Sequence, residues 1–126
     1  MKIQESAENY LETILMLKNK SGVVRSIDIA NELNITKPSV SVAMKHFREN
    51  DYISMDSHGY ISLTDKGFAI ANKMYERHKL LTNWLISLGV DSETSSADAC
   101  RIEHVISEET FDRIKDFYNK TLSDKK

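Results

Sequence analysis

Apolar positions recur along this chain at two spacings. From Glu5 to about Leu17, the residues Ala7, Leu11, Ile14, Leu15 and Leu17 gather on one helical face, with no Gly or Pro among them. Lys18 to Gly22 closes that helix, with Gly22 suited to a left-handed cap. Ser26 is read as the N-cap of a second helix, followed by Ile27, Ala30 and Leu33 at helical spacing. After the short turn at Asn34 and Ile35, Thr36 caps a third helix with Pro38 in its first turn. Val40, Ala43, Met44 and Phe47 supply its inward face to about Asn50.

The period then shortens to two. Tyr52–Met55 and Tyr60–Leu63 read as strands, and Asp56-Ser57-His58-Gly59 between them is turn chemistry, so a hairpin is predicted. Thr64 caps a long fourth helix, about Asp65 to Leu88, whose stripe is Phe68, Ala71, Met74, His78, Leu81, Leu85 and Leu88. Gly89 ends it. Ser95 or Ser96 is expected to start a fifth helix that runs through Ile102 and Ile106. Glu108 begins a sixth, with Phe111, Ile114, Phe117 and Tyr118 on one side and a frayed tail from Ser123. The fold class predicted is mainly α: an N-terminal winged helix-turn-helix over residues 1–70, then a helical domain over residues 71–126.

Composition narrows the function. One Cys among 126 residues excludes an intramolecular disulfide framework, and one Pro with 4 Gly excludes low-complexity chains. No apolar run approaches the roughly 18 residues of a membrane span. Met1 to Glu5 lacks the apolar core of a signal peptide, so a soluble cytoplasmic protein is expected. The net charge of -2 argues mildly against nucleic acid as a partner, but its distribution does not. Residues 1–80 hold 11 Lys or Arg against 10 Asp or Glu, whereas residues 81–126 hold 6 against 9. Lys37 to Arg48 contains three bases and no acid.

In a winged helix-turn-helix the second helix braces the third, whose N-terminal part enters the DNA major groove. Thr36, Ser39 and Ser41 are placed to reach phosphates or base edges, and Pro38 to pack on a thymine methyl. Lys37 and Lys45 face the backbone, and His58 at the hairpin tip and Ser26 at the start of the second helix complete the candidate surface. One such helix reads few bases, so a symmetric dimer is expected. Its interface is assigned to Trp84, Leu85, Leu88, Phe111, Ile114 and Phe117, which a chain this short does not readily cover. The same module also serves as a protein-interaction platform without DNA.

Cys100, Glu103 and His104 fall at i, i+3 and i+4, where a thiolate, a carboxylate and an imidazole share one helix face and suit a transition metal. Asn9 and Glu12 are spaced i, i+3 on the first helix, and His78 interrupts the apolar stripe of the fourth. Each has a plainer reading: a small buried Cys, a solvated helix carboxylate, a core histidine. Cys100 beside Arg101 and His104 also allows an oxidant sensor with no metal. An enzyme is not expected, because no nucleophile motif, phosphate loop or cofactor fingerprint is present.

The order of these segments resembles the diphtheria-toxin-repressor family of metal-dependent transcriptional repressors, in its short manganese-transport-regulator branch. The matching stretches are Glu8-Asn9-Tyr10-Leu11-Glu12, Ile27-Asp28-Ile29-Ala30 with Pro38-Ser39-Val40, and Leu63-Thr64-Asp65-Lys66-Gly67. Arg77-His78-Lys79-Leu80-Leu81, Leu88-Gly89-Val90 and Ile102-Glu103-His104 continue the match. The resemblance implies a homodimer that binds operator DNA and represses genes of iron or manganese uptake, with a metal between reader and dimerisation domain. It implies Glu12, His78, Glu103 and His104 as ligands. Cys100 matches a position that is Cys in the iron branch and Glu in the manganese branch, and Asn9 departs from the Met or Asp usual there. Fe2+ or Mn2+ is therefore expected, with Zn2+ and Co2+ as alternatives. Some members add an SH3-like third domain; the chain length predicts none here.

Overall fold

The computed structural model describes residues 5–124. The elements run α1 (Glu5–Ser21), α2 (Ser26–Leu33), α3 (Lys37–Glu49), β1 (Ile53–Met55), β2 (Ile61–Leu63), α4 (Asp65–Ser87), α5 (Ser92–Val105) and α6 (Glu108–Asp124). The chain divides after Tyr75 into two compact units. No helix among the described residues is long and apolar enough to cross a membrane.

The first unit is a winged helix-turn-helix. Its core joins Leu11, Ile14 and Leu15 of α1, Ile29 and Ala30 of α2, Val40, Met44 and Phe47 of α3, and Ala71 of α4. Tyr52, Ile53 and Ile61 seal the hairpin side of this core. Phe47 meets Tyr10 and Tyr52 edge-on, with ring centroids 5.8 and 6.3 Å away, the geometry that aromatic quadrupoles favour. The strands pair antiparallel, Ser54 opposite Ser62. The Ile61 N–H also donates to the Val24 carbonyl at 2.7 Å, so the wing is fastened to the segment before α2. The Asp56 carboxylate accepts from the N–H groups of His58 and Tyr60 at 2.9 and 3.0 Å and shapes the wing's tip.

Several boundaries differ from the sequence expectation. Helix α1 continues to Ser21, a turn beyond Leu17, because Lys18 and Lys20 complement its C-terminal dipole. Gly22, at φ 85°, then donates its N–H to the Lys18 carbonyl. Ser26 is the first residue of α2 rather than its cap. Arg25 takes the cap position, its own N–H donating to the Asp28 carboxylate at 2.8 Å. Helix α5 begins at Ser92, ahead of Ser95, because the Asp91 carboxylate accepts from the N–H groups of Glu93 and Thr94. Tyr52 and Tyr60 flank the strands rather than open them. Ile27 and Phe68, expected to face inward, are exposed. Ser123 and Asp124 remain helical; the rest of the expected frayed tail lies outside the described residues, as do Met1 to Gln4.

Thr36 caps α3 as expected, its hydroxyl accepting from the Ser39 N–H. At the start of α4, the Thr64 hydroxyl accepts from Gly67 N–H at 3.1 Å and donates to the Asp51 carbonyl. A Cβ at Gly67 would collide with the Tyr52 carbonyl oxygen, so the close approach of α4 to the hairpin requires glycine there.

The second unit packs the end of α4 with α5 and α6. Leu81, Ala99 and Phe111 form its buried centre, flanked by Leu80, Trp84, Ile102, Ile106 and Ile114.

Candidate functional site

Within the second unit, three side chains converge. His78 projects from α4, and Glu103 and His104 follow one another near the end of α5. Glu103 is completely buried, in line with Ser95 and Ala99 on the inward face of α5. One carboxylate oxygen, Oε2, lies 3.0 Å from His78 Nδ1; the other, Oε1, lies 3.2 Å from His104 Nε2. The two imidazole side chains are 19% and 3% exposed. A carboxylate removed from water carries a large desolvation cost unless donors or a cation face both oxygens. Here His78 Nδ1 makes a hydrogen bond to Oε2, while Oε1 and His104 Nε2 face each other without hydrogen-bond geometry, which leaves room for a cation to serve both. One oxygen donor set flanked by two nitrogen donors, almost shut off from water, is the chemistry that first-row divalent metals take. The residues present therefore fit such an ion.

Beside His78, Arg77 is buried at 6% exposure. Its guanidinium donates to the carbonyls of Glu103 and Ile106 at 3.1 and 3.0 Å and lies over the Phe111 ring, 5.2 Å from its centroid. In sequence, the signal for Arg77 is its place directly before a candidate ligand histidine. Cys100 is exposed, unlike Glu103 and His104. In the first unit, Glu12 is buried at 3% exposure, which overturns its plainer reading as a solvated helix charge. Asn9 is half-buried, and its carbonyl accepts from the Thr13 hydroxyl at 2.8 Å.

The outer face of α3 carries the candidate DNA residues. Lys37, Pro38, Ser39, Ser41 and Lys45 are all exposed, and the first turn holds no acid. The hydroxyls of Thr36 and Ser39 lie 2.8 Å apart, so each already has a partner in the cap. Val42, 66% exposed, lies off the buried Val40–Met44–Phe47 stripe, so periodicity gives it no role. His58 is exposed at the wing tip, its ring 5.9 Å from that of Tyr60. Arg25 stacks over Tyr60 at 4.7 Å, beside the half-buried Ser26.

Of the six residues assigned to a dimer interface, Phe111 belongs to the intramolecular core, where Leu81 and Ala99 enclose it. Trp84, Leu85 and Ile114 are half-buried. Leu88 and Phe117 are exposed at 62% and 66%, and Val105 at 71%. All three are exposed apolar side chains of the second unit.

Known proteins resemble both units. The family model described as the iron dependent repressor N-terminal DNA binding domain matches residues 2–62. The one described as the iron dependent repressor metal binding and dimerisation domain matches residues 64–125. An uncharacterised helix-turn-helix transcriptional regulator of Methanocaldococcus jannaschii is 33% identical over 120 residues, covering 94% of this chain and 96% of its own length. The transcriptional regulator MntR of Shouchella clausii is 36% identical, covering 88% of this chain and 78% of its own. The solved structure of the manganese regulator SloR superposes with a TM-score of 0.77 at 26% identity, covering 94% of this chain and 55% of that one. The chain thus spans about half the length of that solved relative.

Proposed function

The chain belongs to the iron dependent repressor family, whose members are transcriptional regulators rather than enzymes, and from that premise we propose that it represses metal-uptake genes by binding operator DNA as a metal-activated homodimer. The observation that carries this reading is the buried Glu103 carboxylate between His78 and His104, inside the segment matched by the metal binding and dimerisation domain. In this reading residues 1–70 read DNA, and residues 71–126 bind metal and dimerise. His78, Glu103 and His104 are proposed ligands, with Glu12, Asn9 and Cys100 completing the set. When bound, the ion supplies a positive charge that holds these donors in one arrangement.

Lys37 and Lys45 neutralise phosphates. Pro38, Ser41 and the shared hydroxyls of Thr36 and Ser39 meet the bases or their neighbouring phosphates, while Ser26 and His58 approach the flanking backbone. Two α3 helices related by a dyad then enter major grooves about 34–36 Å apart. Leu88, Phe117 and their half-buried neighbours Trp84, Leu85 and Ile114 form the dimer contact. The proposed ion is Mn2+ or Fe2+. Manganese is supported by the likeness to the manganese regulator SloR, and iron by membership of the iron dependent repressor family together with the soft thiol of Cys100.

Metal can favour DNA binding only through its differential affinity for the DNA-competent state, typically about 1–3 kcal/mol, and DNA must then tighten metal binding by the same factor. The test is a gel shift with operator-like DNA and purified apo protein, titrated with Mn2+ and, separately, Fe2+ under anaerobic conditions. Retardation should appear with metal and vanish with chelator. Equal retardation in both states would overturn metal dependence.

A further inference from the structure

We infer that Arg77 is a positioning residue for the metal centre: it fixes the end of α5 so that Glu103 and His104 present their donors together. This rests on the metal reading above. An α-helix leaves its last carbonyls without intrahelical partners. In α5 the Ile106 N–H bonds to the Ile102 carbonyl, and the carbonyls of Glu103 and Ile106 lie in the helix end beyond it. Arg77 donates to both, Glu103 at 3.1 Å and Ile106 at 3.0 Å, with a single guanidinium nitrogen. A buried cation on the negative end of a helix makes these charge-assisted bonds strong and direction-specific.

The grip is double because Arg77 and His78 are consecutive in α4. Arg77 holds the main chain of Glu103, and His78 Nδ1 holds its carboxylate at 3.0 Å. Main chain and side chain of one residue, both tied to neighbouring positions of one rigid helix, fix the rotation of α5 about its axis. His104 follows Glu103 directly and is set by the same rotation. Phe111 covers the guanidinium face from α6, so the arginine is held as well.

Electrostatics alone would give the opposite effect. A permanent guanidinium near a site for a dication repels the ion, so its removal should tighten binding. Positioning requires that its removal loosen binding. The sign therefore separates the two.

The experiment measures Mn2+ affinity by isothermal titration, and the visible spectrum of the Co2+ form, for wild type, Arg77→Met and Arg77→Lys. In the same apo proteins, nitrogen NMR of the His78 and His104 rings reports the carboxylate contact without any metal. Outer partners of metal ligands typically contribute about 10–100-fold in affinity. We expect Arg77→Met to weaken Mn2+ binding in that range, alter the Co2+ absorption bands, and shift both apo ring signals. Arg77→Lys, which keeps a donor for the carbonyls, should recover part of the loss. It also keeps the question open to test should Arg77→Met not fold. Wild-type affinity, bands and ring signals in the Lys variant and in a folded Met variant overturn the inference, as does tighter binding in Arg77→Met. A wild-type protein that binds neither ion overturns the metal reading instead, and the apo ring signals then still decide whether Arg77 sets the two side chains.

Discussion

Replacing Glu103 by Gln separates the cost of a buried charge from the benefit of a metal ligand. The side chain is completely buried, with imidazole nitrogens 3.0 and 3.2 Å from its two oxygens. Gln keeps the volume and one acceptor oxygen, so the His78 contact survives. The apo variant should therefore stay within about 1 kcal/mol of wild type, the net scale of one hydrogen bond. Metal binding behaves differently. Removing even an outer partner of a ligand costs up to about 100-fold in affinity, and loss of an anionic ligand should cost at least that. With free Mn2+ at about 100 times the wild-type Kd, the bound ion stabilises wild type by about 2.7 kcal/mol; a site weakened 100-fold gains about 0.4 kcal/mol at the same concentration. For a chain of this size those figures correspond to roughly 10 °C and 1–2 °C in Tm. Differential scanning calorimetry with and without Mn2+ reads both effects. A variant that keeps the full metal-induced rise would remove Glu103 from the ligand set, and one whose apo form collapses would show that the carboxylate serves the fold first.

Three further outcomes are expected. The double variant Lys37→Ala, Lys45→Ala should weaken binding to all DNA sequences and lower the salt slope by about 1.8 per protomer, two phosphates' worth, in fluorescence anisotropy at several ionic strengths; an unchanged slope would dislodge both lysines from the backbone. Leu88→Ser with Phe117→Ser, both at exposed positions, should shift the dimer toward monomer in sedimentation equilibrium while leaving the circular dichroism spectrum unchanged. Gly67→Ala should destabilise by about 1–3 kcal/mol in urea melts despite alanine's better helix propensity, because its Cβ meets the Tyr52 carbonyl; a neutral or stabilising result would contradict that approach.

The winged helix-turn-helix is legible in the sequence because its signals are local. Thr36 with Pro38 announces α3, and Asp56 to Gly59 announces the wing's turn. The shifted starts of α2 and α5 share one cause: more than one residue could cap each helix. Arg25 and Ser26 both precede the apolar residues of α2. The geometry chose Arg25 because Asp28, three residues on, accepts its N–H. Asp91 outcompeted Ser95 because its carboxylate takes two N–H groups at once, and Ser95, once inside the helix, is buried with its hydroxyl near the Val90 carbonyl. Phe68 and Ile27 show the limit of periodicity. A helix face of the right period is apolar only where a neighbouring element covers it, and sequence spacing does not say where cover ends.

The site is legible in a narrower sense. Spacing could place Glu103 and His104 on one helix, but that a carboxylate there is buried rather than solvated depends on groups distant in sequence. His78 is 25 residues away from Glu103, and only the packing of α4 on α5 makes the two partners. The adjacency of Arg77 and His78 has a physical reason that no pattern of apolar residues could supply. Neighbours on α4 point about 100° apart, so one can take the carbonyls at the end of α5 while the other takes a carboxylate from the same residue. Moving either by one position would swing its side chain by that angle, and Glu103 would lose one of its two anchors. The pair therefore works only as consecutive residues. A match confined to the histidine, with the arginine displaced, would preserve a donor type without preserving the arrangement that aims it.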